Sequence, residues 1–115
     1  MNKIRLVVNN ESKKNEKEKF FIKKELQSIL NLYAKMVSNG SWKDYSFTSG
    51  TKEVSFDVYQ RASEKPVLRI LKNLKPKYFN EKYLIKDKNG AILKKSENLN
   101  QLISKTSWNK LKLVK

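Results

Sequence analysis

The stretch "ELQSILNLYAKMVSNGSWKDY", residues 25–45, predicts an amphipathic helix that ends at a glycine and is followed by a strand. Its apolar residues recur at spacings of three and four, which places them in one stripe on a helix. Gly40 supplies the left-handed residue that commonly ends a helix. Beyond Gly40 the apolar period changes to two, so residues 42–47 are predicted to form a strand. The predicted apolar stripe consists of Leu26, Ile29, Leu30, Tyr33, Met36 and Val37.

The cluster Trp42-Lys43-Asp44-Tyr45 at the end of this stretch has a functional and a structural interpretation. An aromatic platform beside Lys43 is suited to stacking on a nucleic-acid base. Alternation along a strand, however, places Trp42 and Asp44 on one face and Lys43 and Tyr45 on the other. A single aromatic and basic site is therefore harder to build. We interpret Trp42, Asp44 and Tyr45 as a structural corner that joins the helix to the sheet.

The middle of the chain predicts short strands separated by turns. "VSFDVYQR", residues 54–61, alternates apolar and polar side chains as a half-buried strand does. "VLRIL", residues 67–71, is the next predicted strand. "KYLIKDKNGAILKK", residues 82–95, is predicted to form a hairpin because Asn89-Gly90 is a strong two-residue turn signal.

These elements predict an α+β fold. It consists of an amphipathic helix, a meander of about five antiparallel strands, and a C-terminal helix that packs with the first on one sheet face. Ser96 is predicted to cap the last helix. The opposite sheet face would then carry Tyr59, Arg69 and many lysines. The inward residues of the last helix are expected to be Leu99, Leu102 and Ile103.

The chain has room for one domain, which we place at residues 20–115. Residues 9–19, "NNESKKNEKEK", contain no apolar side chain and cannot contribute to a core. Residues 1–19 are therefore expected to be a flexible polar and basic segment. Within it, residues 3–8 alternate weakly and either add an edge strand or stay disordered.

Composition excludes several kinds of chemistry. The absence of cysteine excludes disulfides, thiol catalysis, iron–sulfur clusters and cysteine-ligated zinc. The absence of histidine removes the usual acid–base catalyst near neutral pH and the commonest metal ligand. No glycine-rich phosphate loop is present. We therefore expect no cofactor, no metal and no enzymatic activity. No apolar run reaches membrane-spanning length, so we expect a cytoplasmic protein.

The net charge of +15 has two explanations. A surface that attracts phosphate is one, since a strong positive field favours nucleic acid or an anionic membrane face. Compositional drift in an AT-rich genome is the other, because lysine and asparagine are abundant while arginine, the better bidentate phosphate ligand, is scarce. The candidate polyanion-binding face consists of Lys72, Lys75, Lys77, Lys82, Lys86, Lys88, Lys94 and Lys95.

The second candidate site is the turn "RASEKP", residues 61–66, which precedes the predicted strand at residues 67–71. In this turn Arg61 and Ser63 can bind a ligand phosphate. Equally, Ser63 can satisfy turn amides while Arg61 pairs with Glu64 across the loop. Loops on rigid scaffolds carry a large share of functional residues, so Arg61, Ser63 and Glu64 form the candidate binding loop.

Several of these segments together resemble a small, uncharacterised alphaproteobacterial family of unknown function. The resemblance covers roughly residues 20–114 and implies a small stand-alone protein, without implying an activity. The chain departs from the family pattern at Ile22, which replaces an aspartate helix cap, and at Ser41, which replaces a glutamate. A histidine usual in the family is absent near Ser96. The segments that carry the resemblance are "ELQSILNLYAKMVSNGSWKDY", "YQRASEKPVLRI", "NGAILKKSENLNQLI" and "KLKLV".

Three functional hypotheses follow, of which the last and minor one is an enzyme that uses Arg61 and the acidic residues. The first is a non-catalytic accessory or interaction domain with an unknown protein partner. The second is sequence-nonspecific binding of RNA or DNA through a lysine-rich sheet face and hairpin.

Overall fold

A computed structural model describes residues 19–61 and 65–108. The predicted α+β architecture is confirmed: two helices accompany a five-stranded antiparallel sheet in meander order. The predictions for residues 1–18, including the edge strand at residues 3–8, lie outside the described residues. The elements are α1 (Lys23–Ser38), β1 (Asp44–Ser49), β2 (Glu53–Tyr59), β3 (Leu68–Asn73), a 3₁₀ helix (Phe79–Glu81), β4 (Tyr83–Asp87), β5 (Ile92–Ser96) and α2 (Leu99–Lys105).

Helix α1 buries a slightly different stripe from the predicted one. Ile29, Leu32 and Met36 are buried, following a spacing of three and four residues. Leu30 and Val37 were predicted to face inward, but they are 41% and 40% exposed. The predicted stripe was wrong at these two positions because it was wider than the helix surface that contacts the sheet. The buried stripe that the structure shows is centred on Leu32.

The two ends of α1 follow from local chemistry. Ile22 occupies the N-cap position without a side-chain acceptor, and its backbone N–H donates to Glu25 Oε1 at 2.8 Å. Glu25 therefore supplies one half of a capping box. At the other end Gly40 has a φ of 83°, the left-handed conformation that its lack of a side chain permits. The Ser41 N–H then donates to the Met36 carbonyl at 2.9 Å and closes the helix.

One face of the sheet forms the core with both helices. Val54, Phe56 and Val58 of β2 are fully buried on this face. Ile70 of β3 and Ile85 of β4 are paired in register beside them. The same cluster contains Leu99 and Leu102 of α2, as predicted, with Ile103 partly buried against it.

Aromatic contacts join α1 to the sheet. The Tyr33 ring lies 6.2 Å from Trp42 and 4.8 Å from Tyr45, measured between ring centroids. The predicted separation of Trp42 and Tyr45 onto opposite faces was therefore wrong. Strand β1 begins at Asp44, so strand alternation does not extend back to Trp42. Trp42 is 5% exposed and also contacts Trp108 at 5.8 Å.

The β4–β5 hairpin and the start of α2 complete the domain. Gly90 has a φ of 85° in the predicted turn between β4 and β5. Asn98, and not Ser96, caps α2, because the Asn98 side chain accepts from the Gln101 N–H at 3.0 Å. Ser96 instead accepts from the Asn98 N–H at 3.1 Å. The prediction of Ser96 as the cap was wrong by two residues.

Candidate functional site

Lys72 does not belong to the predicted polyanion-binding face. It lies on the core side of β3 with 1% of its surface exposed. Its Nζ donates to Glu25 Oε1 at 2.8 Å and to the Phe20 carbonyl at 3.1 Å. The Tyr83 hydroxyl donates to the second oxygen of the same carboxylate. A buried charge requires a partner, and these contacts supply it. Lys72 is therefore a structural residue of the domain interior.

The other seven lysines surround the β5 edge of the sheet. They lie on the β3–β4 connection, on β4, on the following turn and on β5. Among the described residues, Lys95 is the member of this group that forms a salt bridge, with Glu81 at 3.7 Å. Together with two aromatic residues we call them the hairpin surface: Lys75, Lys77, Tyr78, Phe79, Lys82, Lys86, Lys88, Lys94 and Lys95.

The hairpin surface wraps around an edge and is not one flat face. Lys95 is paired with Leu84 and Lys94 with Ile85, so these two lysines project from opposite sides of β5. The structure therefore distributes positive charge over both sides of the outer strand.

The β3–β4 connection adds exposed aromatic rings to this charge. Tyr78 is 57% exposed and Phe79 is 82% exposed. Lys77 Nζ lies 5.8 Å from the Tyr78 ring centroid, in the range of a cation–π contact. Phe79 is a residue that the sequence interpretation missed. The available signal was "KPKYF", residues 75–79, in which two aromatic residues follow a proline between two strands.

An open groove of about 590 Å³ lies beside Phe79. The 3₁₀ helix and the β3–β4 connection form one wall, and the junction of β5 with α2 forms the other. A smaller cavity of about 140 Å³ lies against Glu25 and Tyr83 and shares Glu97 and Asn98 with the groove. The groove is lined in particular by Pro76, Phe79, Lys82, Glu97, Asn98 and Gln101.

The sheet face opposite the helices carries a polar network on β1, β2 and β3, and Lys86 and Lys95 of the predicted lysines lie on the same face of β4 and β5. Asp57 is 2% exposed and accepts hydrogen bonds from Thr48 Oγ1 and Ser55 Oγ, both at 2.7 Å. Arg69 Nε donates to Asp57 at 2.9 Å. The predicted position of Arg69 on this face is observed, and so is that of Tyr59, whose hydroxyl lies 3.0 Å from Ser46 Oγ.

Arg61 and Asp44, two further candidate residues, do not line the groove. Arg61 is exposed at the end of the segment that follows β2. Ser63 and Glu64 lie outside the described residues, so the candidate loop of Arg61, Ser63 and Glu64 stays a prediction. Asp44 is exposed and accepts from the Tyr45 N–H at 2.8 Å.

Burial raises the pKa of Tyr33 above its usual value, with further contributions from the negative charge of Asp44 and from Tyr45.

Within residues 19–61 and 65–108, no helix is long and apolar enough to cross a membrane. The same residues hold no group of three or more metal-ligating side chains.

Comparison with known proteins gives a family assignment. Residues 19–103 match DUF2794, a family described as a protein of unknown function. The chain belongs to the DUF2794 family. The match spans the described elements from α1 into α2, so the groove and the hairpin surface lie within the DUF2794 region. No curated protein and no solved structure matches this DUF2794 chain.

Proposed function

We propose that this DUF2794 chain is a small non-catalytic interaction domain that binds nucleic acid without sequence preference through the hairpin surface. The exposure of Tyr78 and Phe79, 57% and 82%, next to lysines that form no salt bridge within the described residues carries this proposal. Basic grooves with aromatic rings are the recurring arrangement for binding nucleic-acid strands.

Electrostatics support a polyanionic ligand. Within the described residues, Lys82, Lys86 and Lys88 form no salt bridge, so their charges are available to phosphate. A lysine ammonium acts as a point charge and carries no base-reading geometry. Binding through these groups is therefore expected to be insensitive to sequence.

The engagement of the buried carboxylates supports a non-catalytic role. Glu25 is held by Lys72 Nζ at 2.8 Å and by the Tyr83 hydroxyl. Asp57 is held by three donors, including Arg69 Nε at 2.9 Å. Both carboxylates hold the fold together, and a general acid or base must instead be free to reach a substrate.

Salt-dependent titration tests the proposal. Fluorescently labelled single- and double-stranded oligonucleotides are titrated with the full chain at several salt concentrations. If three to six phosphates are contacted, log K for single strands should fall against log salt with a slope of about −2 to −4. The double variant Lys75→Gln/Lys77→Gln should reduce the magnitude of this slope by about 1.4. Lys43→Gln/Lys52→Gln is the matched control, since both lysines are exposed near β1 at the opposite edge of the sheet.

Two results would contradict the proposal. Absence of binding to any oligonucleotide at about 50 mM salt would remove nucleic acid and leave a protein as the partner. An equal loss of affinity in the two lysine double variants would show that the charge acts diffusely, as compositional drift predicts.

A further inference from the structure

Phe79 differs from an ordinary exposed apolar residue in its position. Isolated apolar side chains on a protein surface are common and need no ligand to explain them. Phe79, however, is 82% exposed and forms part of the wall of the 590 Å³ groove. A groove of this size falls within the usual range for sites that hold small organic groups. The exposed ring therefore faces a space that a planar ligand can enter.

The opposite wall of the groove is polar. Asn98 and Gln101 reach it from the start of α2, and Glu97 reaches it from the preceding turn. The Gln101 side-chain amide makes no hydrogen bond within the described residues, so its donors and acceptor are available. Unstacked bases are recognised by this combination: an aromatic ring against the face and polar groups at the edge.

Charge beside the groove fits a phosphate on either side of such a base. Lys82 lines the groove and forms no salt bridge within the described part of the chain. Lys75 and Lys77 are exposed on the connection that leads to Phe79. A base held in the groove would bring its neighbouring phosphates toward these ammonium groups, so the charge complements a nucleotide chain.

From these contacts we infer that the groove holds one base of a single-stranded nucleic acid, stacked on the Phe79 ring. The inference rests on the proposed function and names its ligand class. A base inside a duplex is stacked on both faces and must be flipped out before it can reach Phe79, at a cost in free energy. Single strands are therefore the preferred ligand of this site.

The experiment compares Phe79 variants on single strands and on duplexes. Fluorescence anisotropy is measured with the full chain and two labelled ligands, an oligouridine of about 12 nucleotides and a blunt RNA duplex of the same length. This length lies within the site sizes of single-strand-binding grooves. Phe79→Ala should weaken single-strand binding by about 5- to 150-fold, while duplex binding changes by less than about twofold. Phe79→Trp should retain single-strand binding, because a larger aromatic face is present. Leu30→Ala, which truncates another exposed apolar side chain on α1, is the control and should leave both affinities unchanged.

The outcomes separate this inference from the proposed function. If Phe79→Ala binds single strands as tightly as the wild-type chain does, the stacking site is wrong while nucleic-acid binding stands. Equal loss of affinity for single strands and duplexes in Phe79→Ala would also overturn the inference, because stacking requires an unpaired base. If the wild-type chain binds no oligonucleotide at all, the proposed function fails and the inference fails with it.

Discussion

Replacement of Lys72 by methionine should destabilise the domain strongly. The Lys72 side chain is 1% exposed and that of Glu25 is 9% exposed, with 2.8 Å between Nζ and Oε1. Lys72→Met removes the cation and leaves the carboxylate buried beside the Ile22 N–H and the Tyr83 hydroxyl. Breaking a buried pair in this way costs about 3–5 kcal/mol. The two remaining donors place the expected loss at the lower end, about 3 kcal/mol.

A double-mutant cycle isolates the interaction between the two charges. Glu25→Gln removes the negative charge but keeps an acceptor oxygen for the Ile22 N–H, and its amide NH2 can donate to the Tyr83 hydroxyl oxygen. The double variant Glu25→Gln/Lys72→Met should therefore lose only about 1 kcal/mol, since no unpaired charge remains in the core. The expected coupling between the two sites is about 2 kcal/mol or more.

Urea unfolding followed by tryptophan fluorescence measures these free energies. Trp42 and Trp108 are both buried and 5.8 Å apart between ring centroids, so loss of tertiary structure changes their environment. With an m-value of about 1.5 kcal/mol/M, a loss of 3 kcal/mol lowers the unfolding midpoint by about 2 M urea. Lys43→Met, at an exposed lysine outside the core, should shift the midpoint by less than about 0.3 M.

Two outcomes would refute the reasoning about Lys72. A Lys72→Met midpoint within about 0.5 M of the wild-type value would mean that Glu25 is not left as an unpaired buried charge. Additive effects of the two single substitutions would show that the two side chains do not interact in the folded state.

Three further predictions concern the sheet, the second helix and pH. Asp57→Ala should cost about 2–3 kcal/mol in urea unfolding, because it leaves three donors without their acceptor; a loss below about 1 kcal/mol would contradict the network. Asn98→Ala should cost about 1 kcal/mol by removing the α2 cap, whereas Ser96→Ala should cost less; the reverse order would contradict the assignment of the cap. Since burial raises the pKa of Tyr33, the unfolded chain loses this proton near pH 10.0 while the folded chain retains it, so stability from this group is lost as pH rises above that value. The free energy of unfolding should fall more steeply above pH 10.0 in the wild-type chain than in Tyr33→Phe, and identical slopes would contradict this.

Local sequence signals were sufficient for the order of the elements. The change of period at Gly40 predicted where α1 ends, and Asn89-Gly90 predicted the β4–β5 turn. Both signals act within a few residues, because a positive φ and a hydrophobic period are properties of the local backbone. Strand starts were less predictable, as the start of β1 at Asp44 shows. An apolar residue such as Trp42 is buried both in a strand and in the loop before it, so its identity does not indicate where the strand begins.

The residues of the candidate site were predicted unevenly. Lysines at the β5 edge were recognised because charge and hairpin position can both be read from the chain. Lys72 was misassigned for the same reason, since its sequence neighbourhood is indistinguishable from that of an exposed lysine. The exposed Phe79 was missed because burial is the usual fate of an aromatic residue. Its exposure depends on how the β3–β4 connection leaves the sheet.

The helices, the meander and the exclusion of histidine and cysteine chemistry can all be read from the order of amino acids. These follow from residue identity and from backbone periods of 3.6 and 2, which act over short distances. Two findings required the three-dimensional fold: Lys72 pairs with Glu25, 47 residues away, and Phe79 and Gln101 line one groove. Such pairings depend on where α1 lies on the sheet and where α2 follows β5. That placement arises from the packing of the whole core. Lysines in similar sequence surroundings therefore end up either in the interior or on the surface.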